Sequence, residues 1–399
     1  MGLKNVLKTI SGFISRRFRR TAAFLPDADI KPYVDRVIAD GILLNEIPSP
    51  SEREEVRANF IKQKLLDFGI DDIHTDEIGN LFALFPGSGG SERYLLLYTD
   101  MDNLKYSTQE SIVEIRGDKL LGVGIGDNSL GAATLLVLCE YIKKEGITFD
   151  FNLIALFSLR NVPENGYEGI RYFIETWKER VFGSVYFFGL HLGRMVLDSY
   201  GTCNISFTLT SANEDALGSN YTDSTVDLAA MLYNRINKVD WNAYNAVVNI
   251  VRISSGIGFE YFPSEGTLDL EIFSKDSASL ERATKAVLGM ASEVSQHKHF
   301  TVENTTLFSL PPVNDRRNEV LNTIVRRVHG MLGIETRPTQ IPDYPAILNQ
   351  VGIPSITLGV STGKKFVDDE FVESRKVMTG FKQAILFLEE LNKLEERVW

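Results

Sequence analysis

From Ile30 to about Tyr200 the chain alternates segments of helical period with short apolar runs of strand character, and this alternation narrows the choice of fold. Ile30–Asn45 reads as a helix. Ser51 and Glu54 have the spacing of a capping box that opens a second helix, running to about Asp67 and stopped at Gly69. Asn80–Phe85, Tyr94–Tyr98 and Phe151–Ser158 read as strands, the last two as buried apolar runs. Ser129–Lys144 reads as a helix, and another starts at Gly169–Lys178. Helices interleaved with buried strands predict an α/β sheet covered on both faces.

The pattern changes near Cys203. Ile205, Phe207 and Leu209 alternate as in a half-exposed strand, and a helix follows at about Thr222–Ile236. Strands at Ala246–Ile253 and Thr267–Phe273, a helix at Ser279–Ser295 and a strand at Phe300–Leu307 complete a β-α-β-β-α-β unit, the ferredoxin-like split motif. Pro311–Pro312 ends it. A helix at Asn318–Leu332, a strand at Ile353–Leu358 and a helix at Ser374–Leu391 then restore the α/β character. The expected organisation is residues 1–26 as a basic amphipathic helix, 27–202 with 311–399 as the α/β domain, and 203–310 as an inserted domain.

Composition removes several function classes. Among 399 residues, 44% are hydrophobic and 24% charged, which excludes a disordered or fibrous chain. Forty-two Lys and Arg against 53 Asp and Glu give a net charge of −11, which argues against a nucleic-acid partner. Two cysteines, Cys139 and Cys203, fit a reducing, cytoplasmic setting without structural disulfides, and with five histidines they exclude a Cys-rich zinc module. No apolar run approaches the roughly 20 residues that span a bilayer.

The N-terminus stands apart. Lys4, Lys8, Arg16, Arg17, Arg19 and Arg20 meet no acid within residues 1–26, while Leu3, Val6, Leu7, Ile10, Phe13 and Ile14 share one helical stripe. Two readings stay open for residues 3–20: contact with a membrane surface, which would make the protein peripheral to a membrane, or docking on a protein partner or on the chain's own domain. An Arg-containing, acid-free segment also suits an organellar transit peptide.

Several motifs occur in a fixed order. Ile47-Pro-Ser-Pro-Ser-Glu52 precedes a helix, Gly69 and Ile78-Gly-Asn-Leu81. Thr99-Asp-Met-Asp-Asn-Leu104 follows a buried strand, Gly124-Ile-Gly-Asp-Asn-Ser-Leu-Gly131 opens a helix, and Glu164-Asn-Gly-Tyr-Glu-Gly169 comes next. Gly352-Ile-Pro-Ser-Ile-Thr-Leu-Gly359 and Asp369-Glu-Phe-Val372 close the series. Together they resemble the dizinc exopeptidases of the aminoacylase and tripeptide aminopeptidase (peptidase T) type over about residues 30–395. The resemblance implies a mixed central sheet with helices on both faces, plus a ferredoxin-like α+β lid through which homodimers form. It also implies a ligand of the small-peptide or N-acyl amino acid class.

In that family two His and several carboxylates hold two zinc ions. Paired metals activate a bridging water while a Glu moves the proton. Carried over residue by residue, Asp100 stands where the first ligand His belongs, and Asp102 keeps the acid that orients it. Asp127 takes the bridging position and Glu164 the general base. Asn165 replaces a carboxylate ligand, and Phe366, four residues before Glu370, replaces the closing His. Another family carboxylate has no counterpart at Phe188–Leu190, although His191 is near, and the lid His has none between Thr210 and Asp227.

Phe cannot ligate, and zinc favours imidazole, thiolate and carboxylate donors, so the standard dizinc centre is not expected. What remains is a carboxylate cluster of Asp100, Asp102, Asp127 and Glu164. It suits one divalent cation (Mg, Mn or Zn), or else consists of helix caps, turn formers and solvated acids, with Asp127 placed to cap the helix near Ser129. Lys364 and Lys365 offer a cation near the replaced His. His297 and His299 share one side of an extended segment. Two functions follow as expectations: a binding or scaffolding homologue that has lost dizinc hydrolysis, or an active metal-dependent hydrolase with an oxygen-rich site and Glu164 as base.

Overall fold

The computed structural model describes residues 26–103, 112–212, 223–259, 261–296, 300–313, 316–342, 344–365 and 369–394. The basic N-terminal segment 1–25, Phe366, His297 and His299 lie outside the described residues.

A six-stranded mixed sheet organises the larger part. Its order is Ile73–Thr75, Leu81–Phe85, Asn152–Ser158, Tyr94–Asp100, Val181–Phe188 and Ser355–Gly359. The last four strands run parallel, and Leu81–Phe85 runs against them. Leu95, Leu96, Leu97, Tyr98 and Thr99 are all buried, so neither face of the central strand meets water. Successive side chains point to opposite faces, so an unbroken apolar run fits only a sheet covered on both sides. Phe173 and Trp177 of the helix Glu168–Trp177 pack edge-on against Phe82, with Trp177 also meeting Tyr94. The helix Leu130–Lys144 packs on the strands Tyr94–Asp100 and Val181–Phe188 and against the helix Asp27–Glu46.

A separate antiparallel sheet is ordered Ala246–Ser255, Glu265–Ser274, Gly201–Ser211 and Phe300–Leu310. With the helices Thr225–Asn237 and Ser277–Val294 it makes the β-α-β-β-α-β order read from the sequence. Ile205, Phe207 and Leu209 are fully buried against Leu228, Leu232, Ala283 and Val287, while Thr208 and Thr210 are exposed. The Thr225 helix carries a true capping box, in which Ser224 Oγ accepts from Asp227 N and the Asp227 carboxylate accepts from Ser224 N.

The capping box expected from Ser51 and Glu54 does not form. The helix starts at Glu55 with no side-chain cap. Glu54 instead accepts from the backbone N–H of Arg160, 2.9 Å away, and Ser51 Oγ accepts from Asn165 Nδ2 at 3.0 Å. Both side chains are drawn to the end of the sheet, a long-range competition that local spacing does not reveal. Cys139 and Cys203 are buried and unpaired. No helix among the described residues is long and apolar enough to cross a membrane.

Candidate functional site

Parallel strands end together, and a cleft opens beyond their carboxyl ends, where α/β sheets usually bind ligands. Here Asp100, Ser158 and Phe188 terminate neighbouring strands. A cavity of about 520 Å³ lies beyond them, and Asp100, Asp102, Asp127 and Glu164 all line it. The structure thus brings together the four acids that the sequence singled out.

Each acid is placed by a different device. Asp100 is the last residue of its strand, and the loop that follows is pinned by Arg57. That guanidinium is fully buried and donates to the carbonyls of Met101 (2.9 Å), Leu44 (2.5 Å) and Ile47 (3.0 Å) and to Asn103 Oδ1 (2.9 Å). The same loop holds Asp102, whose Oδ2 accepts from the backbone N–H of Asn161 at 2.7 Å.

Asp127 lies in the turn Ile125–Ser129, which two neighbours hold. Gly126 N–H donates to Glu370 Oε1 at 2.9 Å. The buried Asn128 amide donates to Thr99 Oγ1 (2.8 Å) and the Phe187 carbonyl (2.9 Å) and accepts from Gly189 N–H (2.9 Å). The Asp127–Asn128 peptide is cis. Contrary to the capping alternative, the helix Leu130–Lys144 has no side-chain cap, and Asp127 turns into the cavity. Its Oδ2 lies 3.4 Å from the Lys365 ammonium, which also sits 5.0 Å from the centre of the Phe188 ring. Lys364 pairs instead with Asp369.

Glu164 is exposed at the rim, on the short 3₁₀ turn Pro163–Asn165. His191 is half-buried and packs on Phe188 with ring centres 5.3 Å apart.

Aromatic rings form one wall. Tyr186 and Tyr344 lie 4.8 Å apart between ring centres, and Tyr167 lies 5.3 Å from Tyr344. The Tyr186 hydroxyl donates to Asp100 Oδ2 at 2.5 Å. Burial pushes the Asp100 carboxyl well above the usual carboxylate range, and the neighbouring Asp102 adds to it. Burial also raises Asp102, with Glu54 adding repulsion. His191 moves the other way: burial, then Arg194, Lys365 and Arg337, bring it down to about 3.

Sequence reasoning missed Tyr186 and Tyr344, and named Asn128 only as part of a motif. Tyr186 lies in the strand Val181–Phe188, whose eight apolar or small residues carry no alternation. Tyr344 comes from a distant turn that nothing local marks.

Among the described residues, no group of three or more His, Cys, Asp or Glu side chains is disposed to hold a metal ion. One Asp100 oxygen is taken by a tyrosine hydroxyl, Asp127 faces an ammonium, and Asn165 bonds Ser51.

The fold is a mixed α/β sheet joined to a second α+β sheet unit, with an acidic cleft at the strand ends. The sequence model of peptidase family M20/M25/M40 matches residues 96–390, and the chain belongs to that family. Among solved structures it is similar to a tripeptidase from Staphylococcus aureus subsp. aureus Mu50, with 18% identity and a TM-score of 0.70 over 90% of this chain and 99% of the other. Human carnosine dipeptidase 1 matches with 12% identity and a TM-score of 0.69 over 92% and 99% of the two chains. The Bacillus subtilis YxeP protein, a dinuclear metal binding peptidase, matches with 14% identity and a TM-score of 0.62 over 90% and 99%. No curated protein matches the sequence.

Proposed function

We propose that this chain uses its cavity to bind a small peptide or N-acyl amino acid, as a binding or scaffolding member of its family, and does not hydrolyse it at two zinc ions. The observation that supports this most is the Lys365 ammonium 3.4 Å from Asp127. A lysine beside the carboxylate expected to bridge two metals supplies the counter-charge from the chain itself. Tyr186 on Asp100 and Asn165 on Ser51 support the same reading, since each occupies a group that would otherwise ligate.

A second reading is favoured by the meeting of four acids in one cavity. It is a hydrolase with one Mg²⁺, Mn²⁺ or Zn²⁺ and Glu164 as general base. A panel of dipeptides and N-acyl amino acids separates the two. Binding heat without product, in buffer containing Mn²⁺, is expected. Turnover that Glu164→Gln abolishes would establish the hydrolase instead.

Two further proposals concern partners. The strand Ala246–Ser255 lies at a sheet edge and exposes Val247, Val251 and Ile253, which supports association of two copies through this sheet. A monomeric mass in light scattering would end that proposal. The basic stripe within residues 3–20 supports contact with an anionic membrane surface or a protein partner, read by loss of liposome or partner binding on deleting residues 1–26.

A further inference from the structure

We infer that a second cavity, at the opposite end of the sheet from the cleft, is the seat of the chain's own segment Glu395–Trp399, which lies outside the described residues, with the Trp399 indole as its anchor. The inference is independent of what the cleft binds. Arg93, Phe151 and Val181 stand at the amino ends of three neighbouring parallel strands. A cavity of about 260 Å³ opens there, with Arg93, Asp150, Phe151, Phe182, Leu391 and Leu394 in its lining and no residue shared with the lining of the cleft. It is smaller than the roughly 300–1,000 Å³ of a drug-sized ligand site and suits one large side chain.

Four observations select this occupant. The described chain leads to the cavity: after the helix Ser374–Leu391, Asn392 Oδ1 accepts from the Asp150 N–H at 2.7 Å, which fixes the chain at the rim, and Leu394 lines the cavity. Residue 395 thus starts at its mouth, and so short a tether holds Trp399 there at an effective concentration on the order of millimolar. The walls are aromatic. Phe151 meets Phe182 edge to face with ring centres 5.5 Å apart, and Phe149 stacks on Phe151 at 5.4 Å, a packing that another ring extends. The charges are complementary. Arg93, whose guanidinium lies 5.7 Å from the Phe182 ring centre, and Asp150 give the lining one charge of each sign, and Glu395, Glu396 and Arg397 bring both opposites. Finally, Leu394 is 36% exposed although it lines an apolar cavity, and a segment continuing across it removes that surface from water.

Fluorine NMR on the full chain labelled with 5-fluorotryptophan tests this. The chain has three tryptophans, so Trp399→Phe assigns the resonance. The Trp399 resonance is expected away from that of the free amino acid and at the same position in H₂O and D₂O, as for a fluorine shielded from solvent. Phe182→Ala is expected to move it toward the free position and to restore the solvent shift. Arg93 is exposed, and Arg93→Gln is expected to do the same, which keeps the test open if Phe182→Ala does not fold. A free-like, solvent-sensitive Trp399 resonance in the wild type overturns the inference. So does a shielded resonance that neither variant moves, which would seat the indole elsewhere. A resonance that returns to the free position on dilution overturns it too, because the indole would then sit in a second copy.

Discussion

The six-stranded sheet hides both faces, and the four-stranded sheet hides one. In the second sheet, Phe207 is fully buried and Thr208 beside it is exposed, so a shift of one residue would turn every apolar side chain into water. In the first sheet, Leu96 and Leu97 are equally buried and the run carries no such instruction. The one-sided sheet thus spends its pattern on register. The two-sided sheet, sealed on its faces, presents its chemistry at the strand ends, where Asp100 emerges. The difference teaches where to look: periodicity finds the scaffold, and strand ends find the site.

The sharpest break in that comparison is expected from Phe207→Ala. Removing a fully buried ring should cost about 3–5 kcal/mol, whereas Thr208→Ala on the open face should change stability by less than about 0.5 kcal/mol. Urea unfolding of the two variants reads both. Similar costs would show that the second sheet is covered on both faces.

A smaller effect separates Ser224, which forms a capping box in the structure, from Ser51, whose expected box does not form. Ser224→Ala should destabilise by about 1 kcal/mol, because its hydroxyl caps a helix. Ser51→Ala should leave hydrogen-exchange protection of the helix Glu55–Asp67 unchanged, because Ser51 points to Asn165 instead.

The smallest effect is a titration at the cleft. With its folded pKa brought down to about 3, His191 stays neutral in the native protein, while the unfolded chain protonates near about pH 6.5. The unfolded state therefore binds more protons between those values. The contribution of His191 to stability is whole above about pH 6.5 and shrinks as pH falls toward 3. Its imidazole resonances should not move between about pH 8 and pH 5, and His191→Asn, which tolerates the φ of 67°, should flatten the acid limb of the stability curve.

Much of the fold was legible. The helices Leu130–Lys144 and Ser374–Leu391 fall within a residue of their periodic patterns, and the β-α-β-β-α-β order holds throughout. The four acids that line the cleft were marked by the motifs that carry the family resemblance, and not by periodicity. Other features were not, for a physical reason. The Lys365 contact with Asp127 joins residues 238 apart in the chain, and Tyr186 reaches Asp100 across 86. Adjacency to a replaced ligand pointed to Lys365, but its distance to Asp127 depends on the folded chain. Ser51 shows the same limit in reverse, where a strong local signal lost to a distant partner.

The central claim is that this cleft is balanced by its own lysine and tyrosine and not by a metal centre. Metal content by plasma mass spectrometry, on protein prepared without chelator beside an Asp127→Ala control, tests it most directly. The account predicts no stoichiometric metal in either protein, even after soaking with zinc, manganese and magnesium. About one or two metal ions per chain in the wild type, lost in the control, would contradict it.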